Sequence, residues 1–503
     1  MTAAEQTDQE SKTGAGRAAR RRAKGERQPR SFSAEQFALT AWLSRPLASF
    51  HLVLAVTGTL TVIGIVMVLS ASSPSSYNPE TGSSVYALFQ KHLMFVGIGS
   101  LAFLIGLRVS LRRIRALSST AMVVCLGLLM LVLTPLGKNV NGSQGWFVVG
   151  PFSLQPVELA KVALALWGAH ILVIKYNVLH QWRHLLVPVV PAALLMFALV
   201  MAQPDLGGTV TLGVVLVALL WFAGAPKRLF GVILAGGVGG AVILALVAQY
   251  RLDRVMTFLN PGADPQGKGL QANQALYAIA EGGFFGKGLV QGQSKWRYLP
   301  NVQHDFIFAL IGEELGFVGC VVVIGLFGLL AVVGMRIATR NLDPWIRIVA
   351  GTLTVWVVAQ AAINIGYVIG LLPVTGVTLP LISYGGTSLV VTMLLLGILA
   401  NCARHEPEAV AALRTQGPGK FGRLLRLPAP EPYRPPTKRR GSTGTRSSGT
   451  KRGRPAARGG GRPVPGERRG GATRATTARG GTQRGSTARG SAARGSSTRR
   501  GRR

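Results

Sequence analysis

The middle of the chain has very little charge. Only 15% of the 503 residues are charged, compared with roughly 25% in typical soluble domains. Residues 46–403 hold 20 basic and 10 acidic residues, whereas residues 404–503 hold 26 basic and 4 acidic residues. The low charge of the middle excludes an ordinary soluble domain there. Most of the formal net charge of +36 belongs to the two terminal segments.

Cysteine is also scarce. The three cysteines, Cys125, Cys320 and Cys402, lie far apart in apolar runs. This spacing indicates neither a disulfide framework nor a cysteine metal site, and we interpret all three as small buried residues. No cleavable signal peptide is evident, because the first apolar run begins near residue 50, behind a basic arm, and is long enough to span a membrane.

The weakly charged middle of the chain consists largely of long apolar runs. A helix needs about 20 mostly apolar residues to cross the hydrocarbon core of a bilayer. We therefore predict an all-α integral membrane protein with ten transmembrane helices. The predicted spans are residues 50–71, 89–107, 118–136, 156–175, 185–202, 208–224, 229–249, 309–334, 348–370 and 386–403.

The basic residues orient these spans. Short cytoplasmic loops of membrane proteins carry an excess of Lys and Arg. The short loops after the second, fourth, sixth and eighth predicted spans are basic, and the short loops on the other side carry little charge. We therefore predict that both termini are cytoplasmic and that a long extracellular loop joins spans 7 and 8.

Three regions follow from these patterns: a basic cytoplasmic arm at 1–45, a polytopic membrane domain at 46–403, and an Arg/Gly-rich cytoplasmic tail at 404–503. The arm and the tail are expected to be disordered, since from about residue 415 the chain has too few large apolar residues to bury a core. The tail's charge suits anionic lipid headgroups or an acidic protein partner. Nucleic acid is less favoured, because the tail has few aromatic residues beyond Tyr433 to stack on bases.

Acidic residues cluster at the predicted outer ends of the spans. Charged residues beside membrane spans are costly, so each one is a functional candidate. Their clustering on one side predicts an outward-facing polar cavity rather than a conduit along the whole bundle. The clustered residues are Glu158, Asp205, Asp305, Glu313 and Glu314.

Each prominent candidate also has a structural interpretation. Glu158 and Lys161 share a helix face, so they either pair with each other or contact a substrate. Asp205 lies in a tight turn and either caps the next helix or lines the cavity. Asp305 directly precedes an apolar span, where it either caps the helix or acts as a base, since partial loss of water makes a carboxylate more basic.

The long loop contains a glycine-rich stretch at 281–288. Together with Lys287, Lys295 and Arg297, it has a composition that would let the backbone and positive charge approach a phosphate. Residues 271–280, just before it, are predicted to form a short helix. Composition alone is unspecific here.

Several blocks of sequence resemble the SEDS family of FtsW, RodA and SpoVE proteins. The resemblance covers about residues 50–403 in order, and the tails lie outside it. The blocks are QPVELAK at 155–161, GGFFGKG at 282–288, DFIF at 305–308, IGEELG at 311–316, LPVTG at 372–376 and LPLISYGGTS at 379–388.

The resemblance implies a peptidoglycan glycosyltransferase that polymerises lipid II and releases undecaprenyl pyrophosphate. It implies a class B penicillin-binding protein, similar to FtsI, as the partner that cross-links the product. It also implies that Asp305 is the general base for the acceptor sugar hydroxyl. The family commonly has His two positions before this Asp; here Gln303 stands there and His304 is adjacent.

The leaving pyrophosphate needs positive charge, from basic side chains or from a divalent cation such as Mg or Mn. No metal-ligating residues are predicted in the chain itself. The residues expected to bind substrate are Glu158, Lys161, Lys287, Lys295, Arg297 and Ser383.

Within the family, the stretch 70–73 and the long basic tail are more similar to the division members than to the RodA-type elongation polymerases. A division role implies that the protein lies in the plasma membrane at the septum. It also implies that the basic tail binds an acidic partner such as FtsZ. A lipid II flippase or transporter is an alternative, although no charged residue lies near the middle of a predicted span. A scaffold that recruits a transpeptidase is a further alternative.

Overall fold

The computed structural model of the chain describes residues 45–76, 86–140, 142–150, 152–176, 185–247, 256, 258, 270–294 and 302–433. This part of the chain is mostly helical. Its helices are α1 Ala48–Ser76, α2 Ala87–Arg108, α3 Leu111–Leu131, α4 Pro156–Ile174, α5 Val189–Ala202, α6 Leu206–Phe222, α7 Lys227–Val247, α8 Leu270–Gly282, α9 Ile307–Arg340, α10 Pro344–Val368, α11 Gly386–Ala403, α12 Pro407–Thr415 and α13 Lys420–Leu424.

A helix coincides with each of the ten predicted spans. Within the described residues, seven helices are long and apolar enough to cross a membrane, namely α1, α2, α3, α4, α9, α10 and α11. Helices α5 and α6 are apolar but shorter, at 14 and 17 residues. A mostly helical, multi-pass fold is thus confirmed, while the count of ten spans stays a prediction.

A small sheet lies where an entirely helical chain was expected. Strands β1 Lys138–Val140, β2 Ser143–Val149 and β3 Phe152–Leu154 form an antiparallel sheet in the order β1-β2-β3. Gly142 and Gly150 have φ values of 84° and 58°, which suit the turns between the strands. The prediction of an all-α fold was wrong here, since the short apolar stretch 145–149 pairs as a strand and is too short to add a span.

The buried centre of the bundle consists of α4, α10 and α11, and α2 packs closely against α11. Glycines allow this approach. A Cβ on Gly106 would lie 2.6 Å from the Leu394 carbonyl oxygen, and a Cβ on Gly397 would overlap the Phe103 carbonyl. Small residues at a membrane helix interface bring the backbones into contact.

Helix α9 is opened at Gly316, where φ is 70° and ψ is −167°. The N–H groups of Phe317 and Val318 donate to the carbonyls of Gly283 and Phe284 at 3.0 and 3.3 Å. We call residues 282–288 the glycine loop. This loop takes over the two helical hydrogen bonds that the kink removes.

The carbonyls left free by the same kink are also paired with the glycine loop. Glu313 and Glu314 accept from the N–H groups of Lys287 and Gly288 at 2.9 and 3.1 Å. All four opened backbone groups of α9 therefore have a partner, as buried backbone requires. The glycines of this loop contact α9, whereas the sequence led us to expect a loop that approaches a phosphate.

The described structure continues past residue 403, the predicted end of the membrane domain. Arg404 Nη2 donates to the Pro428 carbonyl at 2.7 Å, and Arg108 Nε donates to the Leu425 carbonyl at 2.9 Å. Leu427 is buried against the bundle. The segment 404–433 differs from the expected disordered tail because it carries the apolar side chains that the later Arg/Gly repeats lack. The arm at 1–44 and the tail after 433 lie outside the described residues.

Candidate active site

A cavity of about 390 Å³ lies at the amino-terminal ends of α4, α6, α9 and α11. We call it the polar cavity. The four helix starts bring partial positive charge to one place, because the N–H groups of the first turn point out of each helix start. Its carboxylate, ammonium and imidazole side chains are Glu158, Lys161, Asp205, His304 and Asp305, and the phenol of Tyr384 also lines it.

The first turns of α4 supply one wall. Pro156 occupies the first helical position, where its missing N–H costs nothing. Lys161 Nζ donates to Glu158 Oε1 at 2.9 Å, and the lysine side chain is 1% exposed. The same Nζ lies 5.0 Å from the centre of the Trp356 ring. The predicted intrahelical pair is therefore present, and both its members line the cavity.

Asp205 caps α6 and also lines the cavity. It accepts from the Gly208 N–H at 2.7 Å and from Gln155 Nε2 at 3.2 Å. Burial raises the pKa of Asp205, and the Gly208 N–H and nearby Lys161 partly oppose that rise. Asp205 joins the start of α6 to the residue that precedes α4, so its structural role and its place in the site coincide.

Asp305 lies two residues before α9. The helix has Phe306 at its N-cap position and no side-chain cap hydrogen bond, so Asp305 is not the cap. A Cβ placed on Gly376 would lie 3.6 Å from Asp305 Oδ2. The carboxylate thus lies against the loop that precedes α11, and both line the polar cavity.

His304 connects Asp305 to the stretch before α11. Its Nδ1 lies 2.8 Å from the Tyr384 carbonyl oxygen, and its ring packs edge-on against the Tyr384 ring. Burial lowers the pKa of His304, with a smaller opposing effect from that hydrogen bond. Burial also raises the pKa of Tyr384 to about 12. The neutral forms of both side chains are favoured beside the site.

Helix α10 carries polar and aromatic side chains that the sequence reasoning did not assign to the site. We call Trp356, Gln360, Asn364 and Tyr367 the α10 stripe. Trp356 Nε1 donates to Gln360 Oε1 at 2.9 Å, and Gln360 Nε2 donates to the Thr378 carbonyl at 3.1 Å. Spacings of four, four and three residues put these side chains on one face, and that helical period inside an apolar run was the available signal.

Two predicted substrate-binding residues lie away from the polar cavity. Lys287 Nζ pairs with Glu281, and it lies 3.8 Å from Glu313 Oε1. Ser383 is buried, and its hydroxyl accepts from the Leu379 N–H at 2.9 Å, which closes a turn. Neither residue lines the cavity. The predicted Lys295 and Arg297 lie outside the described residues.

The acidic cluster expected from the sequence divides into two groups. Glu158, Asp205 and Asp305 reach the polar cavity. Glu313 instead accepts from the Gln293 N–H at 2.5 Å and from the Ser294 hydroxyl. Glu314 accepts from the Ser70 hydroxyl at 2.5 Å. The second pair therefore joins α9 to neighbouring segments.

Metal ligation does not explain this arrangement. Among the residues that the structure describes, no group of three or more His, Cys, Asp and Glu side chains is placed to hold a metal ion. The donor set of these residues therefore does not fit a protein-held Mg or Mn ion.

The polar cavity combines a carboxylate that can accept a proton with a buried ammonium. Asp305 supplies the carboxylate, and Lys161 supplies the positive charge beside four helix amino termini. This combination suits a reaction in which a hydroxyl is deprotonated while negative charge develops on a leaving group.

Curated relatives share most of this chain. A probable peptidoglycan glycosyltransferase FtsW of Mycobacterium tuberculosis is 53% identical over 397 residues, which cover 79% of this chain and 75% of the relative. Stage V sporulation protein E of Bacillus subtilis is 41% identical over 357 residues, which cover 71% of this chain and 97% of the relative.

Solved structures share the fold. A chain from a peptidoglycan synthase complex, studied for the coordination of polymerization and crosslinking, has a TM-score of 0.58 and 28% identity, covering 71% of this chain and 97% of that one. The rod shape determining protein RodA of Thermus thermophilus has a TM-score of 0.53 and 28% identity, covering 73% of this chain and 99% of that one.

The family model for the cell cycle proteins FtsW, RodA and SpoVE matches residues 50–408. That range contains the polar cavity and every helix from which its side chains come. The chain belongs to the FtsW, RodA and SpoVE family of cell cycle proteins.

Proposed function

We propose that the chain is a peptidoglycan glycosyltransferase of cell division, which polymerises lipid II in the polar cavity with Asp305 as general base. The observation that carries this proposal is the presence of Asp305 and Lys161 on the same cavity. The named function of the FtsW relatives supports the reaction class.

The reaction needs one proton acceptor and one source of positive charge. The Asp305 carboxylate takes the proton from the acceptor sugar hydroxyl. The hydroxyl oxygen then forms a bond to the anomeric carbon of the donor, and the bond from that carbon to the pyrophosphate oxygen breaks. A general base of this kind contributes about 10²–10⁴-fold to a rate.

The leaving pyrophosphate carries the negative charge that develops. Lys161 is the cation placed at the cavity, and Glu158 and the Trp356 ring hold it in position. The amino-terminal ends of α4 and α11 add backbone N–H groups at the same place. A preorganised cation of this kind stabilises the transition state without reorganising during the reaction.

The membrane placement completes the proposal. Ten spans with both termini cytoplasmic would put the polar cavity at the outer face, where its helices begin. The long loop between spans 7 and 8 would then be extracellular, and lipid II would enter from the outer leaflet. A class B penicillin-binding protein similar to FtsI would cross-link the product at the septum. The tail after residue 433 would bind anionic lipid or an acidic partner such as FtsZ.

The proposal is tested with the purified full-length protein in detergent, with and without its cognate class B penicillin-binding protein. Glycan strands made from lipid II are measured for the wild type and for Asp305→Asn. We expect the rate to fall at least ~100-fold, because the base is removed while the shape is kept. Glycan strands made by Asp305→Asn at the wild-type rate would refute the role of Asp305.

A matched control is available at another helix start. Asp343 caps α10 by accepting from the Trp345 N–H at 2.8 Å, and it does not line the polar cavity. Asp343→Asn should keep its polymerisation rate within about twofold, since Asn is an equally good cap. Movement of lipid II across vesicles without any polymer, in the wild type, would support a transporter instead.

A further inference from the structure

Two side chains of the α10 stripe contact the backbone of Asp305. Asn364 Nδ2 and the Tyr367 hydroxyl each lie 2.9 Å from the Asp305 carbonyl oxygen. Both groups also lie 2.7 Å from the Val377 carbonyl oxygen. The same two side chains therefore hold the loop that carries Asp305 and the loop that precedes α11.

Their protons match these acceptors in number. The Asn364 amide has two protons and the Tyr367 hydroxyl has one. The acceptors are the two carbonyl oxygens and the Tyr367 oxygen itself, which lies 2.6 Å from Asn364 Nδ2. With three protons for three acceptors, the pair satisfies both carbonyls.

Both side chains are buried, so these hydrogen bonds offset the cost of removing their polar groups from water. Asn364 is 0% exposed and Tyr367 is 1% exposed. Asn364 Oδ1 is buried without a hydrogen-bond partner among the described residues, so only the N–H groups offset the cost of burying this amide. The hydrogen bonds to the two carbonyls therefore account for the presence of a buried amide in this apolar helix.

The two loops that are held lie next to each other at the wall of the polar cavity. Asp305 Oδ2 is 3.6 Å from the Cβ position of Gly376, the residue next to Val377. Both Asp305 and Val377 line the polar cavity. Fixing the two carbonyls therefore fixes the carboxylate and the part of the wall beside it.

We propose that Asn364 and Tyr367 are positioning residues for catalysis, which clamp the Asp305 and Val377 carbonyls so that the Asp305 carboxylate meets the acceptor hydroxyl. This inference deepens the proposed function and rests on it. The clamp touches the backbone and leaves the substrate-binding wall at Lys161 unchanged. Its loss should therefore reduce kcat while KM for lipid II changes little.

The proton count predicts a graded response. In Tyr367→Phe, the Asn364 amide still has two protons for the two carbonyls, so kcat should fall only about threefold. In Asn364→Ala, one hydroxyl proton remains for two buried carbonyls. The loop of Asp305 then loses its fixed position, and kcat should fall roughly 30-fold or more, since a displacement of 1 Å can cost about 10²-fold.

The test measures kcat and KM for lipid II polymerisation per folded molecule, using full-length protein that is monodisperse in detergent. A matched control is Asn401→Ala. Asn401 is a buried asparagine whose Nδ2 donates to the Gly106 and Val109 carbonyls, at 3.1 and 2.8 Å, at the far end of α11. We expect its kcat to stay within about twofold of the wild type, although its unfolding temperature falls.

Defined results would overturn the clamp. It fails if Asn364→Ala keeps kcat within about twofold of the wild type, if its effect is confined to KM, or if Tyr367→Phe is the more damaging change. If Asn364→Ala yields no folded protein, Asn364→Ser replaces it with an expected loss of about tenfold, because serine keeps one donated proton.

The same series separates failure of the clamp from failure of the proposed function. An Asp305→Asn protein that polymerises lipid II at the wild-type rate overturns the general base itself. An inactive Asp305→Asn protein beside a fully active Asn364→Ala protein overturns the clamp alone.

Discussion

The Nζ atom of Lys161 lies 5.0 Å from the centre of the Trp356 ring, inside the bundle. The same Nζ donates to Glu158 Oε1 at 2.9 Å. A cation over a tryptophan face that is shielded from water gains about 2 kcal/mol. The ammonium is thus fixed by two contacts at the wall of the polar cavity, and α10 organises both Lys161, through Trp356, and Asp305, through Asn364.

Replacement of Lys161 should lower both the polymerisation rate and the stability of the protein. We expect Lys161→Met to lower the lipid II polymerisation rate roughly 100-fold or more, because the charge beside the leaving group is lost. It should also destabilise the fold by about 3–5 kcal/mol, since Glu158 is left buried without its cation. The rate is measured with lipid II in detergent, and stability is measured by thermal unfolding.

A double variant and a control sharpen this prediction. The change Lys161→Met with Glu158→Gln should recover much of the stability and none of the rate, because it removes the buried charge as well. Lys175 closes the same helix, and its Nζ contacts the Val187 carbonyl at an exposed position. Lys175→Met should leave the rate unchanged within about twofold. A Lys161→Met protein with normal activity would contradict the assigned role.

The glycine loop contains two glycines that both have positive φ but differ in the room available for a Cβ atom. Gly283 and Gly286 both have positive φ, at 56° and 82°. A Cβ on Gly283 meets nothing within 4 Å, whereas a Cβ on Gly286 would overlap the Glu314 carbonyl. Gly283→Ala should cost about 1–2 kcal/mol from backbone strain alone. Gly286→Ala should cost more than that, because the loop must leave α9.

Thermal unfolding midpoints of the two glycine variants in the same detergent decide this prediction. The expected order is wild type, then Gly283→Ala, then Gly286→Ala, with the largest step at the last position. Equal midpoints for the two variants would show that the loop is not closely held at the kink of α9.

The sequence predicted the apolar framework well. Runs of about 20 apolar residues leave a helix little alternative in lipid, so each predicted span coincides with a helix. The observed helix boundaries differ from the predicted ones where charged residues lie at the end of a helix. Helix α3 begins at Leu111, before Arg112 and Arg113, although the predicted span began at 118. Arginine at a helix end extends its charged group to water while its stem stays in the helix.

The positions of the candidate residues in the sequence indicated the polar cavity where these residues stand at the ends of apolar runs. Glu158, Lys161, Asp205 and Asp305 reach the polar cavity as their positions at predicted span ends suggested. Lys287 was expected near a phosphate because its charge lies beside glycines, and in the structure it pairs with Glu281. The Asn364 clamp could not be predicted, since its acceptors are backbone carbonyls that any residue supplies.

The pH dependence of stability should include a contribution from His304. Burial lowers the pKa of this side chain below its ordinary value of 6.5. The unfolded chain therefore binds a proton more readily than the folded protein as the pH falls through about 6.5. Stability is then retained above that pH and is lost below it.

The measurement compares the wild type with His304→Gln. Thermal midpoints of both are recorded at about pH 7.5 and about pH 5.5, and the variant should lose less stability on acidification. Burial also lowers the pKa of His405, but that residue is present in both proteins, so the difference between them isolates His304. An equal decline in both proteins would contradict the prediction.

Truncation tests whether residues 420–433 contribute to the stability of the bundle. The residues that the structure describes end at Tyr433. Residues 420–433 follow α12, and they contribute Leu427 to the core and accept hydrogen bonds from Arg108 and Arg404. A protein that ends at residue 435 keeps all these contacts, and we expect the unfolding midpoint and lipid II polymerisation of the full chain.

A protein that ends at residue 415 loses these contacts while it keeps α12. Its Leu427 is absent, and a buried leucine typically contributes about 2–3 kcal/mol, so its midpoint should fall by several degrees. Polymerisation should persist at low temperature, because the polar cavity lies at the other ends of the helices. Equal midpoints for the two truncations would show that residues 420–433 add no stability. A loss of polymerisation on ending at residue 435 would instead give the Arg/Gly-rich tail a direct part in the reaction.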